Sequence, residues 1–257
     1  MLYQKGVCSV IIPAFNCEDT LRETVQSALA QTYSSLEILI VDDASKDNTA
    51  GVMQELADED NRIRVFFLSQ NGGVANARNF LFQHVEGEFV AFLDGDDVWK
   101  SDKLEKQIQL LESEKCDLAY SSYSFIDGEG NDIGHDKIVP MHCSFKALLK
   151  ENYVLPSTVV MRSTWLQDRA MDGTYSHEDF VFWLGLLQDG AIARGCVESL
   201  VFYRLSDSNR SGDKVKAAKN RWIVYRRYLH LPIPVACWYF LQYTLNGLRK
   251  YRGIQKS

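Results

Sequence analysis

The first hundred residues alternate between short apolar runs and segments whose apolar residues recur at helical spacing. "VCSVII" reads as a buried strand ending at Pro13, and "TLRETVQSALAQ" follows as a helix in which Thr20 and Glu23 are spaced as a capping box. "LEILIV" is a second buried strand, halted at "DDAS". A helix near "TAGVMQELAD", a strand "IRVFFL", a Gly-Gly turn, a helix "VANARNFLFQHV" and a strand "FVAFL" come next. The strand runs are β-branched and aromatic without polar alternation, so each is expected to be covered on both faces, as in a mostly parallel sheet flanked by helices. Beyond Lys115 the pattern is mixed, with short strands at "DLAYSSYSF" and "STVVMR", a helix "HEDFVFWLGLLQD" and a strand "CVESLVFYR". The remainder reads as helical and is expected to form a layer of its own.

The polar residues are placed by that alternation. "PAFN", "DDAS", "SQNGG" and "DGDD" each follow a strand expected to be parallel, and open α/β sheets bind ligands at the carboxyl ends of their strands. The last is the sharpest signal, because "FVAFLDGDDVWK" puts Asp94, Asp96 and Asp97 at the mouth of the core. Like charges crowded there repel, and desolvation adds to the cost of each ionised form, so a positive partner is expected. A divalent cation such as Mg²⁺ takes one or two carboxylates and keeps substrate phosphates among its other ligands. Phe15 offers a flat apolar face, the Asp42/Asp43 pair an acceptor for a base N–H or ribose hydroxyl, and Arg78 a charge for phosphate. A nucleoside diphosphate with its metal satisfies all of them. Neither G-x-G-x-x-G after the first strand nor G-x-x-x-x-G-K-[ST] occurs, which argues against dinucleotide-binding and P-loop folds.

At 257 residues the chain suits one large α/β domain, or a domain plus an appendage. Its six cysteines form no C-x-x-C pair, and no adequate apolar segment precedes Pro13, so reduced thiols in a cytoplasm are expected and a cleaved signal peptide is not. The net charge of −6 conceals an asymmetry: from Lys214 to Ser257 there are ten Lys or Arg and no Asp or Glu. A basic tail on an acidic body calls for an anionic partner. Because the tail is also aromatic and apolar, a membrane surface at the inner face of the cell membrane is favoured over nucleic acid, which is not expected as a partner. Pro232 and Pro234 argue against a spanning helix. The competing reading is a helical cap packed on the main domain.

"SVIIPAFN", "ILIVDDASKDNT", "NGGVANARN", "FVAFLDGDDVW" and "HEDFVFWLGLL" together resemble the successive signatures of the family 2 glycosyltransferases, over about the first 210 residues. The resemblance implies a GT-A fold with a C-terminal helical appendage. It also implies inverting transfer of a sugar from a nucleotide-sugar, usually a UDP-sugar, with Mn²⁺ or Mg²⁺. It puts Pro13, Phe15 and Asp43 around the base and Arg78 on the donor side, with Ala14, Asn16, Asp42, Asn71, Gly73 and Gly95 in the same nucleotide-sugar site. Asp94 and Asp96 match the metal-and-ribose pair, Asp179 the catalytic base, and Glu178 beside it is expected on the acceptor side. "YRLSDSNRS" is similar to a loop that closes over the donor, without the histidine metal ligand some relatives carry there. Residues 1–115 are then the nucleotide-sugar half, 116–212 the acceptor half and 213–257 a membrane-proximal tail. The acceptor is expected to be a glycan, in many relatives one linked to a lipid carrier.

Other readings fit less well. A D-x-D phosphatase would carry its aspartates after the first strand, and a nucleotidyltransferase would open with a basic glycine-rich loop that "IIPAFN" lacks. The alternative from a different class is a catalytically inactive nucleotide-sugar-binding module of an assembly complex, which would have no need for Asp43, Asp94, Asp96 and Asp179 together. Trp99 and Trp183 are expected to pack, and His177 to be an ordinary loop residue.

Overall fold

The computed structural model describes residues 3–205 and 214–254. Its first half contains β1 (Gln4–Ala14), α1 (Leu21–Leu29), β2 (Leu36–Asp42), α2 (Thr49–Glu59), β3 (Ile63–Phe67), α3 (Val74–Phe82) and β4 (Gly87–Phe92). Then come β5 (Val98–Trp99), α4 (Lys103–Ser113), β6 (Leu118–Ile126), β7 (Asp132–Lys137), β8 (His142–Cys143), α5 (Phe145–Lys150), β9 (Val160–Arg162), α6 (Glu178–Gln188) and β10 (Ala193–Arg204). The C-terminal part consists of α7 (Lys214–Ile223), a π-helical turn at Val224–Tyr228, and α8 (Ile233–Ile254).

The strands form one sheet in the order β3-β2-β1-β4-β9-β6-β10-β5, with β7 on β6 and β8 on β10. β3, β2, β1, β4, β6 and β10 run one way, as expected of a mostly parallel sheet, while β5, β7, β8 and β9 oppose them and make it mixed. β1 lies between β2 and β4, which makes the gap beside it a topological switch point, where α/β sheets bind ligands.

Why the strands lack polar alternation is visible in the core. Ile11, Leu39, Val41, Val90 and Phe92 face one layer, and Val10, Ile12, Ile38, Ile40, Phe89 and Ala91 face the other. Side chains alternate by two, and both faces are covered. α1, α2 and α4 cover the second face; α3, α5, α6 and the C-terminal helices cover the first, where Val224, Tyr225 and Ala236 are buried. Trp183 and Phe180 of α6 are fully buried there, each contributing about 1.5–3 kcal/mol by removal from water. Trp99 is buried too, so both tryptophans pack as expected.

Three local expectations need correction. Thr20 is the N-cap of α1, yet its side chain makes no capping bond: its hydroxyl donates to the Gly95 carbonyl at 2.8 Å, and Glu23 accepts from Arg204 instead of closing a box. Tertiary partners outcompete the local motif. "STVVMR" is extended only over Val160–Arg162, because Pro156–Thr158 forms a 3₁₀ turn. α4 is not among the elements expected from the sequence, although its buried Leu104, Ile108 and Leu111 recur at helical spacing between charged residues.

Candidate active site

The first two polar loops are fastened to each other. Asp42 Oδ1 accepts from the backbone and hydroxyl of Ser45, and Ser45 Oγ accepts from the Asn16 backbone at 2.9 Å. Asn16 Oδ1 in turn accepts from the Lys46 backbone at 2.9 Å. Asn16 (φ 49°) and Ala44 (φ 58°) adopt left-handed backbone, which non-glycine residues hold only when their surroundings determine it. This zipper presents Pro13, Ala14 and Phe15 at the end of β1, with Phe15 45% exposed. An apolar ring held out from a rigid loop is a ready surface for a flat ligand.

Asp43 is buried, and its carboxylate accepts from the backbone N–H groups of Gly72 at 2.8 Å and Gly73 at 2.7 Å. Asn71 Nδ2 donates to the Asp43 carbonyl at 3.1 Å. Gly73, the N-cap of α3, sits at φ +81°, a conformation that would strain any side chain. The bonds aim α3 so that Arg78 enters the interior beneath the site. Arg78 is 3% exposed; it reaches Asp94 Oδ1 with Nη2 at 2.5 Å and Glu178 Oε1 with Nη1 at 3.1 Å. Burial by itself would lower its pKa, but the carboxylates of Asp94, Glu178 and Asp179 more than offset this and raise it.

The DGDD turn is held from below. Asp97 is buried; its carboxylate accepts from the Ser157 hydroxyl and from the Arg204 backbone at 3.0 Å, and Ser157 Oγ also accepts from the Asp94 N–H at 3.1 Å. Arg204, at the end of β10, donates to the Asp96 carbonyl at 2.8 Å, to the Gly128 carbonyl at 3.1 Å and to Glu23. Gly95 is packed so closely that a β-carbon there would stand 3.1 Å from Cys17 Sγ. Burial, followed by the charge of Asp94, pushes the Asp96 carboxyl up to about 6. Asp97 is raised well above the carboxylate range by burial and by its two neighbours. The turn therefore holds more negative charge than its surroundings neutralise, and a cation would relieve it.

All these loops border one open cleft of about 880 Å³. Every residue assigned to the site from the sequence lines it except Asp42, which acts from behind through Ser45. Asp179 and Glu178 arrive on the first turn of α6, with His177 just before them. Glu178 is buried and paired with Arg78, whereas Asp179 opens further to the cleft. Burial raises the Asp179 pKa, opposed chiefly by the charge of Arg78. Among the described residues, no group of three or more His, Cys, Asp or Glu is arranged to hold a metal ion by itself. Of "YRLSDSNRS", the last six residues lie outside the described ones.

The profile of Glycosyl transferase family 2 matches residues 9–173, which include both loop pairs and the DGDD turn. The chain belongs to glycosyltransferase family 2. It is 36% identical over 246 residues, 96% of this chain and 98% of the relative, to a putative teichuronic acid biosynthesis glycosyltransferase (TuaG) of Bacillus subtilis. It is 34% identical over 244 residues, covering 95% of this chain and 94% of the relative, to WfgD of Escherichia coli, a UDP-Glc:alpha-D-GlcNAc-diphosphoundecaprenol beta-1,3-glucosyltransferase. Among solved structures, Staphylococcus aureus TarS 1–349 in complex with UDP-GlcNAc superposes with a TM-score of 0.69 at 20% identity, covering 86% of this chain and 66% of that one. The mannosyltransferase PcManGT of Pyrobaculum calidifontis, in complex with GDP-Man and Mn²⁺, gives 0.69 at 16% identity, covering 93% and 69%. At these identities the two structures show the shared fold.

Several residues of this glycosyltransferase's cleft were not foreseen as site residues. Thr20 and the 155–156 turn line it as well, and so do Tyr203 and Arg204, which the sequence offered only as the start of a loop over the donor. Arg204 ends β10, which runs parallel to β6, so the strand-end rule that found the first four loops also applies to it. The 155–156 turn precedes β9, an opposed strand that brings its beginning to the same edge. Nothing local marks that reversal.

Proposed function

We propose that this enzyme transfers a sugar, with inversion, from a UDP-sugar to a hydroxyl of a lipid-linked glycan, in the building of a bacterial surface polysaccharide. The observation that carries the reading is the meeting of Asp94 and Asp96 with Asp179, which is distant from them in the chain, in one cleft. Residues 1–115 supply the donor side, 116–212 the acceptor side, and 213–257 a tail on the latter. TuaG and WfgD, which match nearly end to end, support the acceptor class.

In this reading Phe15 stacks on the uracil and the loops at Pro13 and Asp43 enclose the nucleoside. Asp96 and Asp94 would hold Mn²⁺ or Mg²⁺, a hard cation that takes one or two carboxylates and keeps substrate phosphate beside them. Such an ion would supply positive charge against the departing diphosphate. Arg78 keeps Asp94 in place rather than meeting the phosphate itself. Asp179 accepts the proton of the attacking hydroxyl, and its raised pKa strengthens it as a base. The reaction is placed in the cytoplasm, at the inner face of the cell membrane, where nucleotide-sugar and lipid carrier meet.

The test is a transfer assay with several UDP-sugars, Mn²⁺ and a synthetic acceptor bearing a lipid-diphosphate-linked sugar. Asp179→Asn is expected to cut turnover by about 10²–10⁴-fold while UDP affinity stays within about twofold. Asp96→Ala is expected to abolish the Mn²⁺ dependence of UDP binding, measured by calorimetry. Undiminished turnover in Asp179→Asn removes it from the mechanism; unchanged Mn²⁺-dependent affinity in Asp96→Ala removes the metal assignment.

A further inference from the structure

The C-terminal helix α8 is apolar on both sides. Its inner side is anchored: Ala236 is buried, Phe240 meets Trp222 edge-on at 5.7 Å, and Tyr243 receives the Arg221 guanidinium at 4.8 Å from its ring centroid. Pro234, Trp238, Leu241 and Leu245 follow one another at intervals of three and four residues along the other side. There Trp238 is 56% exposed, Leu241 51% and Leu245 42%. A surface helix ordinarily turns polar residues outward, and a continuous apolar row in solvent marks a surface that meets something.

The charge around the row says what. All ten charged side chains between Lys214 and Ser257 are Lys or Arg and none is acidic; Arg221 is buried against α8, while Lys219 and Arg227 are exposed. Arg249, Lys250 and Arg252 continue α8 beyond the apolar row. A second copy of the chain seated on this face would bring one cationic surface against its equal, which like charges oppose. Anionic phospholipid offers the complement to both features, a negative headgroup layer over an apolar interior, and an exposed Trp suits the boundary between them. None of the described helices is long and apolar enough to cross a membrane.

We infer that the outward face of α8, centred on Trp238, Leu241 and Leu245, docks the enzyme on an anionic phospholipid surface. The inference rests on the proposed function in taking the acceptor to be lipid-linked, and it names the surface that delivers the cleft to it. Ala217 and Asn220 of α7 line, with Gly73, Ser176, His177 and Glu178, a cavity of about 250 Å³ that adjoins the main cleft. α7, on which α8 packs, thus borders the cavity beside Glu178.

Flotation of the full chain tests this without any sugar transfer. The protein is expected to float with vesicles of phosphatidylglycerol and phosphatidylcholine at low salt, and at least about tenfold less with phosphatidylcholine alone or in about 1 M salt, where the Debye length is about 3 Å. The triple variant W238S/L241S/L245S should lose vesicle binding at least about tenfold, with an unchanged melting temperature and unchanged transfer to a water-soluble acceptor. Should it melt early, Trp238→Phe supplies the second measurement: quenching of tryptophan fluorescence by brominated phosphatidylglycerol, seen in the wild type, should largely disappear. Wild-type protein that stays with the soluble fraction, a folded triple variant that floats equally well, or quenching unaltered in Trp238→Phe overturns the proposal. So does light scattering that shows a wild-type dimer and a monomeric triple variant, which would assign the face to a second copy. Loss of flotation leaves transfer to a soluble acceptor intact, and absence of transfer leaves flotation intact, so either reading can fail alone.

Discussion

The loops around Asp43 and Asp94 and the C-terminal helices, of which α7 reaches the edge of the active-site region, are held in opposite ways. On the donor side nearly every polar side chain has a distant partner: Asp43 holds Gly72 and Gly73, Arg78 joins Asp94 to Glu178, and Arg204 ties the DGDD turn to Glu23 and Gly128. The C-terminal helices are attached mainly by aromatic packing, with Tyr225 Oη bonded to the Leu149 carbonyl and Asn246 to the Lys150 carbonyl at 3.4 Å. The contrast teaches how rigidity is apportioned. In the proposed function a diphosphate and a metal would demand donors and carboxylates fixed before they arrive, because only preorganised groups stabilise developing charge without reorganising. A surface that meets lipid needs area and charge, neither of which depends on sub-ångström placement.

The comparison breaks first at Arg78. Arg78→Met is expected to destabilise the fold by about 3–5 kcal/mol in urea titration, because it leaves Glu178 and Asp94 without their common cation. A cost below about 1 kcal/mol would mean the donor side is not braced through this residue.

Lys103 is the weak place in the braced half. It is fully buried, its ammonium has no hydrogen-bond partner, and it lies 4.0 Å from the Trp99 ring centroid. Burial pushes its pKa down to about 7. An unfolded lysine titrates near about 10.4, so between the two values the unfolded chain binds more protons and stability should rise with pH; below about 7 the penalty of a buried charge is felt in full. Lys103→Met should flatten that rise and stabilise the protein by about 1–4 kcal/mol near pH 6, read from urea titrations across pH. A wild-type profile with no rise between about pH 7 and 10 would show that the ammonium is solvated after all.

The smallest effect sharpens the other side. Tyr225→Phe keeps the ring in the core and leaves the Leu149 carbonyl without its donor, at a cost of about 1 kcal/mol. UDP affinity should be unchanged by calorimetry. A large loss of affinity would show that the C-terminal helices and the donor site are one rigid unit.

Much of the site was legible because of where strands end. "LEILIV" and "FVAFL" declare buried parallel strands by their unbroken apolar runs, and the polar residues that follow are committed to one edge of the sheet. Asp43, Asp94 and Asp96 could thus be grouped without coordinates, as could the helix that carries Asp179 once the family signature was seen. The placement of Ser157 beneath the DGDD turn could not be grouped in this way, since it comes from the turn before an opposed strand, whereas Arg204 ends a parallel strand and falls under the same rule.

Alternation of side chains along a strand and recurrence along a helix are properties of the nearest few residues, and by them the sequence alone determined the strands, the helices and the edge where chemistry collects. Which partner a polar group takes is settled by competition among groups distant in the chain, and only the tertiary structure decides it. Thr20 caps nothing because Gly95 is nearer to hand, and Arg78 turns inward because Asp94 and Glu178 meet it there. For α8 the composition required an apolar, basic helix, but whether Trp238, Leu241 and Leu245 faced the core or the solvent was decided by the inner side, where Ala236, Tyr239 and Phe240 had already filled the space.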